Sequence, residues 1–94
     1  MSTNSFSLDA PWALHPRVAV RPERFGALLY SFDTRRLSFL KSRQLLDVVS
    51  GLAAAPNARQ ACAGAGVVEA DLPEYTAALA ALAAGGTIVR REGT

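Results

Sequence analysis

Residues 12–41, WALHPRVAVRPERFGALLYSFDTRRLSFLK, decide the fold. Val18 and Val20 alternate with Arg17, Ala19 and Arg21, and Leu37 and Phe39 alternate with Arg36 and Ser38, the period of two that marks half-buried strands. Between the second and third of these segments, Phe32-Asp33-Thr34-Arg35 supplies turn chemistry, with an aspartate able to bond its own backbone, so the two flanking strands form a hairpin. Three short strands are therefore expected, with helices directly after them. The alternation puts Leu37 and Phe39 towards the core and Ser38 and Leu40 outward. A strand that comes last in a meander lies at a sheet edge, where its free N–H and C=O groups need protection or a partner.

Outside this stretch the helix signals are local. Ser42 caps a helix with Leu45, Leu46, Val49 and Leu52 on one face, ending near Ala53 before Pro56. Asn57 caps a short second helix that runs to the breakers Gly64 and Gly66. In Asp71-Leu72-Pro73-Glu74 a capping residue, a first-turn proline and a glutamate three positions on open a third helix. Leu72, Tyr75, Leu79 and Leu82 form its stripe and Gly85-Gly86 its stop. Thr87-Ile88-Val89 packs back against the core. The fold class is α+β: a three-stranded antiparallel sheet followed by three helices, close to a winged helix-turn-helix arrangement with the sheet first. Residues 1–11, rich in Ser, Thr and Asn, read as a mobile tail, 12–90 as one domain and 91–94 as a C-terminal tail, so structure is expected to begin near Trp12.

Composition narrows the function. A chain of 94 residues, half of them hydrophobic, buries about 60–65% of its unfolded surface and folds without staples. The lone Cys62 excludes an internal disulfide, and with a single histidine, His15, there is no soft-ligand cluster for a metal; no cofactor is expected. The N-terminus lacks signal-peptide character, and the apolar helix Leu72–Ala84 is interrupted by Glu74 and falls short of the ~20 residues a bilayer requires. A soluble cytoplasmic protein, not associated with membrane, is expected. His15 has no nucleophile beside it, and Cys62 sits among alanines as a small hydrophobe, so the chain reads as a non-enzyme. The glycine pairs are helix caps rather than phosphate loops.

The net charge of +2 hides an asymmetry. Arg17, Arg21, Arg24, Arg35, Arg36, Lys41 and Arg43 against Glu23 and Asp33 give residues 17–43 a balance of +5, whereas residues 44–94 come to −2. Single edge cations discourage aggregation, but together they favour an anionic partner such as an acidic extended peptide. Tyr75 and Leu79 suit either the core or a groove at the sheet edge, and Trp12 either closes the core or anchors a partner.

Trp12-Ala13-Leu14-His15-Pro16, Val18-Ala19-Val20-Arg21-Pro22-Glu23, Phe25-Gly26-Ala27-Leu28-Leu29-Tyr30 and Thr34-Arg35-Arg36-Leu37-Ser38-Phe39-Leu40-Lys41 resemble the family of mycofactocin precursor-peptide chaperones, from about Trp12 to Arg90. That family lies within the wider group of peptide-recognition domains related to the pyrroloquinoline-quinone biosynthesis protein D. The resemblance implies a non-enzymatic protein that binds the leader of a ribosomally made precursor peptide and delivers it to a radical S-adenosylmethionine maturase. Relatives of this fold take the leader as an added strand between the third strand and third helix. Here that implies a site at Arg35, Arg36, Leu37, Ser38, Phe39, Leu40 and Lys41, faced by Tyr75 and Leu79. The rival reading is a winged-helix DNA-binding regulator. The helix Leu72–Ala84 has no Arg or Lys and the second helix only Arg59, which leaves little to grip phosphate or base edges, so no nucleic acid is expected.

Overall fold

The computed structural model describes residues 6–91. Strands β1 (Trp12–Leu14), β2 (Val18–Glu23), β3 (Gly26–Ser31) and β4 (Leu37–Leu40) come first, then helices α1 (Arg43–Gly51), α2 (Ala58–Gly64) and α3 (Leu72–Ala84), and last strand β5 (Ile88–Arg90). The fold is α+β, with a three-stranded antiparallel sheet in the order β2-β3-β4 and three helices. A second, two-stranded sheet pairs β1 with β5, Trp12 opposite Arg90 and Leu14 opposite Ile88. Thr87-Ile88-Val89 thus returns to the core as a strand, and Trp12 closes that core: it is buried, and its indole N–H donates to the Ser7 carbonyl at 2.9 Å.

Ordered contacts begin upstream of Trp12, where structure was expected to start. The Phe6 ring lies 5.0 Å from Trp12, Ala10 is buried, and the Leu8 and Ala10 carbonyls accept from Arg59 and Ala58 at the start of α2. This segment satisfies backbone donors at the first turn of α2 that have no partner within the helix. The rest of the expected tails, residues 1–5 and 92–94, lies outside the described residues.

The helix boundaries follow from caps. Ser42 Oγ accepts from Leu45 N–H at 3.0 Å and Asn57 Oδ1 from Gln60 N–H at 2.8 Å. A 3-10 turn, Leu52–Ala54, ends α1, and Ala55 turns extended ahead of Pro56. Asp71 does not cap α3 with its side chain. The chain enters α3 through a 3-10 turn, Glu69–Asp71, which already puts Asp71 in helical geometry (φ −92°, ψ −6°) instead of the extended conformation a side-chain cap adopts. Pro73 occupies the first turn as expected. At the other end Gly86 takes φ +78° and Thr87 N–H donates to Leu82 C=O at 2.9 Å, which turns the chain into β5.

The core is built by the inner face of the sheet, chiefly Ala27, Leu29 and Leu40, against Leu45, Val48, Val49 and Leu52, with Leu79, Leu82, Cys62 and Ile88 completing it. The expected phase of β4 is reversed. Leu37 and Phe39 are 50% and 60% exposed, whereas Leu40 is 1% exposed and Ser38 half-buried. Register is the reason: Leu40 faces Ala27 and Ser38 faces Leu29, both on the inner face, while Leu37 and Phe39 face Tyr30 and Leu28 on the outer one. The turn differs in one detail as well. The Asp33 carboxylate takes the guanidinium of Arg17 rather than its own backbone, and Thr34 N–H and Arg36 N–H are held instead by Ser31 Oγ and Thr34 Oγ1.

Close packing of backbone on backbone marks Gly26. A Cβ there would run into the Leu40 carbonyl oxygen and the Ser42 N–H, and the residue has φ +156°. Gly26→Ala should therefore cost about 2 kcal/mol or more in urea-induced unfolding. Gly51→Ala, which meets nothing within 4 Å, should change stability by less than about 1 kcal/mol.

Candidate functional site

The hairpin hydrogen bonds decide what β4 offers. Ser31 N–H donates to Arg36 C=O at 3.0 Å, in register with the pairs Leu29–Ser38 and Ala27–Leu40. Hydrogen-bonded pairs alternate with non-bonded ones along an antiparallel ladder, so the backbone groups of Ser38 and Leu40 turn to β3. Those of Leu37 and Phe39 turn the other way. They look out from the free edge of the sheet, because β4 is last in the order β2-β3-β4.

Beside that edge runs a groove of about 610 Å³, walled by β4 on one side and α3 on the other. Leu40, Leu45, Tyr75, Ala78 and Leu82 give it an apolar lining, and Ser38, Phe39, Lys41, Ser42 and Ala81 complete the walls. Apolar residues surround α3 on every side, so that one face buries Leu79 and Leu82 while Tyr75, Ala78 and Ala81 remain to line the groove. Tyr75 is fixed in place. Its hydroxyl donates to Gln44 Oε1 at 2.9 Å, and the Gln44 amide in turn donates to the Ala65 carbonyl at 3.1 Å, which ties the groove wall to α1 and the end of α2.

Of the residues expected at the site, Arg36, Ser38, Phe39, Leu40, Lys41 and Tyr75 line this groove. Leu79 does not: it is 0% exposed and belongs to the core, because four residues past Tyr75 the helix turns it to the side of Tyr75 opposite the groove residues Ala78 and Ala81. Leu37 presents its backbone to the edge and its side chain to solvent. Arg35 sits in the turn at φ +62°, with its N–H on the Ser31 carbonyl at 2.8 Å, outside the groove lining. The groove residues not expected from the sequence are Ser42, Leu45, Asp71, Glu74, Ala78, Ala81 and Leu82. The stripe spacing from Tyr75 to Ala78 and Leu82 was available in the sequence, but small alanines carry no signal of which helix face is lined.

The groove is electrically polar. Arg36 closes one end, its guanidinium so near the C-terminus of α3 that a side chain at Gly85 would touch it at 3.5 Å, where a cation meets the free carbonyls of the helix end favourably. Asp71 and Glu74 stand at the other end, near the start of α3, with Lys41.

Chemistry is sparse elsewhere. Among the described residues no group of three or more His, Cys, Asp or Glu is placed to hold a metal, and no helix is long and apolar enough to cross a membrane. His15 Nδ1 accepts from Arg17 N–H at 3.0 Å and its Nε2 lies 3.8 Å from Asp33, which makes it part of the turn that aligns β2. Cys62 is buried, and burial pushes its thiol up, with Arg59 pulling the other way. Arg59, the one basic residue of α2, is paired with Asp9 at 3.0 Å.

Comparison with known proteins gives one consistent result. The family model described as the peptide chaperone MftB family matches residues 11–89. Peptide chaperone MftB of Mycobacterium tuberculosis is 53% identical over 92 residues, covering 98% of this chain and 84% of the relative. The protein of the same name from Mycobacterium ulcerans is 51% identical over 88 residues (94% and 81%), and that from Mycolicibacterium smegmatis 53% over 78 residues (83% and 76%). No solved structure matches the chain significantly. These relatives are named for a chaperone role rather than for an enzymatic one. A family match across most of the length, together with half-identity to three curated relatives, means that this chain belongs to the peptide chaperone MftB family.

Proposed function

We propose that the chain binds the leader of the mycofactocin precursor peptide as an added β-strand along the free edge of β4, and presents it to a radical S-adenosylmethionine maturase in the cytoplasm. The observation that carries this reading is the coincidence of two features: an edge strand whose Leu37 and Phe39 backbone groups face outward, and an apolar groove running directly beside them. Backbone bonds supply register, and pockets beside the strand supply choice of side chain.

The magnitudes favour such a division of labour. Each ladder bond nets about 0.5–1.5 kcal/mol, and four residues of β4 offer few of them, while ordering a free leader costs about 2–5 kcal/mol. Most of the affinity must then come from apolar leader side chains entering between β4 and α3 against Leu40, Tyr75, Ala78 and Leu82. Arg35, Arg36 and Lys41 steer an acidic segment to the edge. Since Asp71 and Glu74 line the opposite end, the preferred leader is acidic near Arg36 and neutral or basic near Asp71, not acidic throughout.

A DNA-binding regulator draws no comparable support. Helix α3 has no Arg or Lys, and Arg59 of α2 is already paired.

Two substitutions at neighbouring positions test the added-strand mode. Leu37→Pro removes an outward donor at a sheet edge, where proline is tolerated, and should weaken leader binding about tenfold or more, ~1.4 kcal/mol, with the fold retained. Ser38→Pro removes a donor that serves the β3 ladder and should instead lower thermal stability. Calorimetry and thermal melts on both variants check the pair; normal leader affinity in a folded Leu37→Pro protein would rule the mode out.

A charge test is independent. Arg35→Asn, which keeps a residue tolerant of positive φ, combined with Lys41→Ser should slow leader association severalfold at low salt and flatten its salt dependence. Stopped-flow rates equal to wild type across the salt range would show that these cations only guard the edge.

A further inference from the structure

The outer face of the three-stranded sheet is not used by the core, and of its aromatic residues only Phe39 also lines the groove. Register places Arg17 beside Phe32, Ala19 beside Tyr30 and Leu37, and Arg21 beside Leu28 and Phe39, in successive rows on that face. Phe25 joins at the β2–β3 turn, its ring 6.5 Å from Phe39, while Tyr30 and Phe32 pack edge to face at 5.2 Å. Phe25, Phe32, Leu37 and Phe39 are each about half exposed or more. A contiguous aromatic sheet face open to water is characteristic of a protein-binding surface.

We propose that this face is the docking surface for the maturase, through a partner surface that is apolar at its centre and acidic at its rim; the assignment of that partner rests on the function proposed above. Charge selects the occupant. Arg17 is paired with Asp33 and Arg21 with Glu23, whereas Arg24 and Arg35 at the margins make no ion pair among the described residues, so the face is net cationic. A second copy laid face to face would oppose Arg21 and its fellow arginines to their own kind, which disfavours self-association. Single-stranded RNA wants isolated rings open for stacking, but these rings are packed against one another in pairs. Position completes the case. β4 contributes Phe39 to this face and its edge to the groove, so a partner seated here lies alongside a leader laid on β4, and the peptide reaches the partner without release.

The test uses substitutions outside the groove lining and away from Phe39: Phe32→Ser, and separately Arg21→Glu. Binding of the purified maturase, of synthetic leader, of a single-stranded RNA oligonucleotide and of anionic phospholipid vesicles is measured for wild type and both variants. Maturase affinity should fall at least tenfold in each variant while leader affinity stays within twofold. Unchanged maturase affinity in both variants overturns the proposal, as does a wild-type protein that binds leader but not maturase. So does joint loss of leader and maturase binding, or binding of RNA or vesicles through this face with maturase unaffected. If wild type binds maturase but not leader, and the variants lose the maturase, the docking face stands and the leader reading falls.

Discussion

The register of the β3–β4 hairpin governs which atoms of this chain meet core, edge and solvent. One set of hydrogen bonds, begun by Ser31 and Arg36 at the turn, commits the backbone of Ser38 and Leu40 to β3 and sends Leu40 inward over Ala27. The same choice turns the backbone of Leu37 and Phe39 to the free edge and their side chains to the outer face. A shift by one residue would bury Phe39, expose Leu40 and reverse the edge donors together. Gly26 locks that register by letting the β4 carbonyl of Leu40 approach closer than any side chain would permit.

Helix α3 is the second half of the site because it is apolar on more than one side. Leu79 and Leu82 hold it to the core, and the alanines that remain keep its flank low enough for a groove instead of a filled contact with β4. Small residues thus exchange packing area for an opening. Tyr75, tied through Gln44 to Ala65, fixes the distance between wall and floor, so that the groove is formed before any peptide arrives. A preformed groove spares a binder the cost of ordering it, which matters when the peptide must be ordered too.

Much of this was readable from residues alone where the determinants are local. The Ser42 and Asn57 caps, the first-turn Pro73, the alternation in β2 and β4 and the turn at 32–35 each depend on a few adjacent residues, and each appears where expected. The phase of β4 was not readable: Leu37, Phe39 and Leu40 are all apolar, and Leu28, Leu29 and Tyr30 opposite them give β3 two apolar faces. Only the pairing register separates them. The β1–β5 sheet joins residues some 75 positions apart, beyond any local pattern. Leu79 shares a stripe with Tyr75, and whether such a stripe serves core or groove depends on the angle at which α3 crosses the sheet. The family resemblance implies a site between strand and helix, where a groove lies, and the donors that face it follow from ladder geometry.

Residue-resolved amide hydrogen exchange, with and without synthetic leader, tests the central claim most directly, because it reads the backbone groups of β4 one at a time. In the free protein the Ser38 and Leu40 amides should exchange slowly and those of Leu37 and Phe39 quickly; on adding leader, Leu37 and Phe39 should become protected while Ser38 and Leu40 hardly change. Bound leader that leaves Leu37 and Phe39 exchanging as in the free protein would contradict strand addition at this edge.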